Sequence, residues 1–198
     1  MSTIVSRSLS VHQEHEFLAK LEAAGLTGQL AQKVIESRGN TLAKEIVALI
    51  RGPQPAFPSY VVLVDYDQTV ERLIRDGRYD WANSDITSHN FPSSERGNAQ
   101  IDIFLLNFET PISSEDAIRE MNALGLRPAT LKELLGLGAT HPNLQRENPI
   151  VALGSRWRYP RGSLNVPYLY RVGSYRHLSL IWFGGDWSPS WRFAAVRK

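Results

Sequence analysis

Between Pro149 and Arg197 the chain is written in a restricted alphabet. Lys, Glu, Gln, Met, Thr and Cys are absent there, and four of the five tryptophans are present: Trp157, Trp182, Trp187 and Trp191. Arg, Tyr, Ser, Gly, Asn, Asp, His and Pro fill much of the rest. Tyr, Ser, Gly and Asn beside Arg and Trp are the residues of recognition surfaces: rigid rings supply contact area at low entropy cost, and small polar groups supply adaptable hydrogen bonds. The chemistry such a set offers is binding. A plain strand-rich domain is the other reading, because strands also disfavour Lys and Glu.

Thirteen residues are expected to face outward and carry binding. They are Arg158, Tyr159, Arg161, Ser163, Asn165, Tyr170, Arg171, Tyr175, Ser179, Ile181, Asp186, Ser188 and Ser190. The Tyr and Arg members are the expected hot spots. The alternative for each is an ordinary solvated strand or loop residue. Trp157, Trp182 and Phe193 are expected to be mostly core.

Charge is divided unevenly. The net charge is +2, yet residues 151–198 carry seven Arg and Lys198 against the single acid Asp186, a balance of +7, which leaves −5 for residues 1–150. The positive end is almost all Arg, which forks and stacks on rings where Lys acts as a point charge. This keeps open an alternative function, nucleic-acid binding through phosphates and stacked bases. Against it, the chain has no helix-turn-helix recognition pattern, ribonucleoprotein aromatic motif or zinc spacing.

Signals for catalysis are weak. With no Cys, thiolate nucleophiles, disulfides and zinc ribbons are excluded. There is no nucleophile elbow, phosphate-binding glycine loop or zinc-protease motif. Gly136-Leu-Gly138 lacks the third glycine of a dinucleotide loop. His12 and His15 beside Glu14 and Glu16 read as a charged helix face rather than a metal pair, and His89, His141 and His177 are isolated. Asp65, Asp67, Asp80 and Asp85 read as loop carboxylates. No catalytic residue, metal or cofactor is expected.

The elements that must position the C-terminal block follow from periodicity. Residues 1–52 read as a helical module. Phe17, Leu18 and Leu21 form one apolar stripe that ends at Gly25; Leu30, Val34 and Ile35 form a second that ends at Gly39-Asn40. Thr41 is placed to cap a third helix. Its turns resemble those of ubiquitin-associated bundles; a small packing or docking module is the plainer reading, with a docking partner as its expected use. Residues 53–58, with three prolines, read as a semi-rigid linker. Residues 59–198 read as an α+β domain. In it, 60–64 is a strand, 68–75 a helix ended by Gly77, and 101–108 a central strand apolar on both faces. Ser113 caps one helix. Thr130-Leu-Lys-Glu133 opens another as a capping box, which Gly136 and Gly138 close. Strands follow at 150–153, 166–170, 178–183 and 191–196. No stretch approaches transmembrane length. No apolar run of signal-peptide length opens the chain. The expected location is the cytoplasm, with export by a signal-less route left open and no membrane insertion.

Leu124-Gly-Leu-Arg-Pro-Ala-Thr-Leu-Lys-Glu-Leu-Leu135 resembles the "G-x-R-(L)-P-T-x-x-E" helix start of C-type-lectin-like domains. The branch concerned includes formylglycine-generating enzymes and the variable proteins of diversity-generating retroelements. Leu153-Gly-Ser-Arg-Trp157 stands in the place of their "G-G-S-W" strand, and Trp191-Arg-Phe-Ala-Ala-Val-Arg197 in the place of their closing strand. The order of strand, two helices and a strand-rich end is similar too. The likeness covers about the last hundred residues well and residues 59–100 loosely. It implies a non-catalytic, receptor-like scaffold whose residues 149–198 form a hypervariable surface for a protein or other macromolecule. The absence of Cys sets the chain apart from the formylglycine-generating enzymes. The absence of "E-P-N" and "W-N-D" motifs sets it apart from calcium-dependent lectins. Adenine-directed mutagenesis of AAY codons would explain the alphabet, because the resulting NNY codons cannot encode Lys, Glu, Gln, Met or Trp. Tryptophan would then be fixed scaffold.

Overall fold

A computed structural model describes residues 10–51, 57–160 and 162–198 of the protein. The chain forms two compact units, residues 1–54 and 55–198. The break falls in the proline-rich stretch expected to be the linker, of which residues 53–56 lie outside the described residues.

The first unit is helical. Helix α1 spans Val11–Ala23, α2 Gly28–Glu36 and α3 Thr41–Arg51. Ser10 and Gln13 close a reciprocal capping box on α1, and Gly25 takes the left-handed conformation (φ 101°) that ends it. Thr27 caps α2 by accepting from the Leu30 N–H at 3.3 Å. Thr41 differs from its expected role. It is the first residue of α3, fed by a single 3-10 turn at Arg38–Asn40, and its hydroxyl donates to the Arg38 carbonyl at 2.8 Å. None of residues 10–46 whose side chains are described is buried, so Phe17, Leu18, Leu30 and Ile35 stay exposed.

The second unit is α+β. Its strands are β1 Ser59–Asp65, β2 Trp81–Ala82, β3 Asn98–Leu106, β4 Ile112–Ser113, β5 Leu126–Pro128, β6 Ile150–Val151, β7 Trp157–Arg158, β8 Leu164–Val172, β9 Tyr175–Trp182, β10 Asp186–Trp187 and β11 Arg192–Arg197. Its helices are α4 Val70–Gly77, α5 Ser114–Ala123, α6 Leu131–Thr140 and α7 Leu144–Glu147. The main sheet runs β1-β3-β11-β6-β8-β9-β2, with β5 also on β11 and β7 also on β8; β4 and β10 pair separately. Pairing is antiparallel except at β11–β6 and β9–β2. Strand β3 lies between β1 and β11, which is why it is apolar on both faces. Ile103 and Leu105 enter one core with Val62, Val64, Leu134 and Leu178, under α4 and α6. Phe104 and Leu106 enter the other with Met121 of α5, Val166, Trp187 and Phe193.

The two glycines expected to stop α6 lie inside it. A methyl at Gly136 would stand 2.9 Å from Val62 Cγ1, and one at Gly138 3.0 Å from Leu169 Cδ1. They bring the helix against the sheet. Likewise Gly77 belongs to α4, and Arg78 takes the left-handed turn (φ 48°) after it. Glu133 reaches back to the Thr130 N–H at 2.6 Å, as a capping box requires. It is fully buried and also accepts from Arg127 at 2.7 and 3.0 Å and from the Tyr66 hydroxyl at 2.8 Å. Burial alone would push its carboxyl up; the hydrogen bonds from Arg127 and Thr130 outweigh that and hold it below the usual carboxylate range.

Arg176 on β9 is buried, and among the described residues no carboxylate hydrogen-bonds its guanidinium. The guanidinium donates to the Gly77 carbonyl at the end of α4 (2.7 Å), to the Gly138 carbonyl in the last turn of α6 (2.5 Å) and to Gln145 Oε1 (3.2 Å), with the Tyr79 ring 4.9 Å away. Helix C-termini carry partial negative charge, so they suit a buried cation. Arg176→Lys keeps the charge but loses the fork. With charge-assisted bonds worth about 1.5–3 kcal/mol each, this change is expected to lower stability by roughly 2–4 kcal/mol. Urea unfolding checks this; a midpoint equal to that of the parent contradicts it.

Candidate binding surface on the C-terminal strands

Strands β8 and β9 alternate, so residues 166, 168, 170 and 172 share a face with 175, 177, 179 and 181. This face carries a chain of rings. Trp81 of β2 meets His177 at 5.6 Å, His177 meets Tyr170 at 5.1 Å, and Tyr170 stacks on Tyr168 at 4.7 Å. Tyr168 meets Trp191 at 5.4 Å, and Trp191 meets Trp187 at 4.7 Å. Trp187 is buried, with its N–H donated to Ser114 Oγ at 2.8 Å. Trp81 is exposed, and His177, Tyr170, Tyr168 and Trp191 are half-buried.

Two hollows flank Trp191. The larger, about 320 Å³, is walled by Tyr168, Tyr170 and Trp191 with Arg146 and Arg171 among its rim. The smaller, about 170 Å³, is walled by Ile181, Trp182, Trp187 and Trp191 with Asp186 at its edge. Beneath the stripe, Gln145 donates to the carbonyls of Tyr170 (2.7 Å) and His177 (3.1 Å), fixing both strands to α7.

The arginines of the block donate largely to loop carbonyls. Arg158 binds Gly162 O at 2.7 Å, Arg171 binds Gly173 O at 3.2 Å, and Arg156 binds Leu153 O at 3.3 Å while lying over the Phe183 ring. Arg192 reaches Pro189 O at 3.2 Å and Trp191 O at 3.1 Å. The excess of positive charge read from the sequence therefore serves in part to brace turns.

The expected site residues divide. Tyr170 and Arg171 line the larger hollow; Ile181 and Asp186 line the smaller one. Tyr175 lies on the ring-bearing face and is exposed. Ser188 and Ser190 are exposed in the turn between β10 and β11, their hydroxyls 2.8 Å apart. Arg158, Tyr159, Ser163 and Asn165 gather instead at the β7–β8 hairpin and line neither hollow. Arg161 lies outside the described residues. Ser179 does not face outward. It is 8% exposed, stands opposite Tyr168 in the register and hydrogen-bonds with its side chain. Trp182 is not core. At the end of β9 it lies over the Gly184-Gly185 turn, where a side chain at Gly184 would sit 2.6 Å from its ring, and it is 58% exposed. Trp157 is half-buried against the α4–α6 core, and Phe193 is buried as expected. Trp81, Tyr168, His177 and Trp191 were not among the thirteen. Alternation along 166–172 and 175–181 carried a signal for Tyr168 and His177, but nothing local pointed to Trp81. Among the described residues no three of His, Asp and Glu gather as metal ligands would.

Burial, followed by the neighbouring Tyr170, pushes the Tyr168 phenol up to about 12. A raised phenol favours the protonated fold. Its contribution is complete below the ordinary tyrosine range near pH 10 and is lost as pH rises through about 12. Tyr168→Phe is therefore expected to flatten the fall in stability over that alkaline window. Denaturant unfolding at stepped pH reads this; identical slopes in both proteins would count against it.

No protein-family model, no curated protein and no solved structure matches the chain.

Proposed function

We propose that the protein is a receptor-like, non-enzymatic binder that displays an exchangeable C-terminal surface on a C-type-lectin-like scaffold and recognises a protein or other macromolecule. The observation that carries the reading is the half-exposed stripe of touching rings flanked by two hollows. Aromatic anchors around shallow pockets are what hot spots are made of. The braced loops mean that little order must be gained on binding.

The scaffold half of the reading is supported by the quoted motif. Its Arg127 and Glu133 form the bidentate pair that opens α6, and the closing strand β11 sits inside the main sheet, between β3 and β6. Exchange of surface residues is supported by where the restricted alphabet falls. Arg158, Tyr159, Ser163, Arg171, Tyr175, Asp186, Ser188 and Ser190 are exposed, whereas Val166, Leu169, Leu178, Trp187 and Phe193 are buried. Nucleic-acid binding fares less well. Several rings turn towards one another, and Tyr168 and Tyr170 stack at 22°, which leaves fewer free faces for bases.

A displayed library randomised with NNY codons at Arg171, Tyr175, Asp186, Ser188 and Ser190 tests the reading. Most members are expected to fold, since exposed substitutions change stability by about 0.5 kcal/mol or less, while Phe193→Ala is expected to cost about 3–5 kcal/mol. Panning on streptavidin should return binders. A library that largely unfolds, or one that yields only salt-sensitive binding to single-stranded oligothymidine, would overturn the proposal.

A further inference from the structure

The smaller hollow has a chemistry of its own. Trp182, Trp187 and Trp191 line it together with Ile181, Gly185 and Asp186, the one carboxylate among them; Trp182 is exposed, Trp191 half-buried and Trp187 buried. Asp186 is the single acid of a segment with eight basic residues, residues 151–198. None of those arginines lines this hollow among the described residues. The ring walls are held in place. Trp187 is anchored through Ser114, whose hydroxyl donates in turn to Phe183 O at 2.5 Å, and Trp191 meets Trp187 edge-to-face at 76°. Trp182 rests on the Gly184-Gly185 turn, which has no side chain to push it away.

From this arrangement we infer that the hollow is an aromatic cage for an alkylated ammonium group, of the kind a methylated lysine of a partner protein would present. Indole faces attract cations through their quadrupole, and Trp is the strongest ring for it. An apolar wall strips water from the methyl groups, and Asp186 balances the charge from the rim. At about 170 Å³ the space is below the roughly 300–1,000 Å³ of drug-sized pockets, so it suits a head group or a side-chain tip. The inference rests on the preceding reading only in taking the carrier of that group to be a protein.

Titration of the full-length protein with choline, followed by tryptophan fluorescence, tests the cage, with dimethylbutanol as the uncharged isostere of the same shape. Choline is expected to bind saturably and the isostere not to. Asp186→Asn should weaken choline on the order of fivefold, the worth of a partly exposed ion pair. Trp182→Ala should weaken it roughly threefold to tenfold. Both side chains are exposed, so unfolding curves should match the parent; Trp182→Phe, which keeps a ring, should recover part of the affinity. Equal binding of choline and its isostere, no binding of either, or no effect of both substitutions overturns the cage while leaving the binding platform standing. A trimethyllysine peptide should compete with choline. Competition by phosphatidylcholine vesicles without competition by the peptide overturns the assignment to a protein partner.

Discussion

The second unit depends on where one buried guanidinium finds its acceptors. Among the described residues no carboxylate hydrogen-bonds the Arg176 fork, Asp80 taking its backbone N–H instead; the fork draws together the ends of two helices and the side-chain amide of Gln145. A buried cation whose hydrogen bonds go to neutral acceptors is costly unless nearly every N–H is satisfied. Two consequences follow. The helix ends must come within hydrogen-bond reach of β9, and the missing side chains of Gly77 and Gly138 leave room there for the Tyr79 ring that packs by Arg176. And Gln145, whose carbonyl oxygen is taken by Arg176, turns its amide protons to the backbone of Tyr170 and His177. Five bonds therefore connect the helical layer to the strands that carry the rings. The surface is held in position from below as well as by the ring contacts along its own face.

That support explains how a surface can be both stiff and open. An exposed ring is normally free to rotate. Here each ring of the stripe contacts the next, and the row ends on Trp187, fixed by its buried N–H. The loops at the ends of β8 and β9 are closed by arginines on their own carbonyls. A sequence-level balance of +7 then overstates the N–H donors open to a ligand, because Arg156, Arg158, Arg171, Arg176 and Arg192 already donate to carbonyls of the protein. The same point weakens the phosphate-gripping alternative on energetic grounds, since moving those forks would unbrace the turns.

Much of the fold was legible because its signals are local. Ser113, Thr130 and Glu133 announce helix starts, and the two-sided apolar run 101–108 announces an inner strand. The failures share a cause. Gly136 and Gly138 read as stops by the rule for isolated helices, but their missing side chains answer to Val62 and Leu169, far away in sequence. Ser179 and Trp182 exchanged expected roles because alternation assigns faces but not the extent of the layer covering them: Ser179 falls under cover, and Trp182 lies at the strand's end. Half of the candidate surface was visible as composition. The stripe itself was not, since it is assembled from β2, β8, β9 and the residues flanking β10 and β11, and no window of sequence contains it.

If adenine-directed exchange shapes residues 149–198, tryptophan cannot arise at an exchanged position, so Trp182, Trp187 and Trp191 belong to the constant part. Asp can arise from an NNY codon, so Asp186 belongs to the changeable part. The indole walls, conserved in their shape by Ser114 and by the Gly184-Gly185 turn, would then be common to every version of the surface. The rim residue would decide whether a cation, an uncharged group or a hydroxyl is preferred inside them. Diversification of this kind would not create a pocket anew each time. It would retune the charge beside one already built, while exchange at Tyr175, Ser188 and Ser190 would change what lies around it.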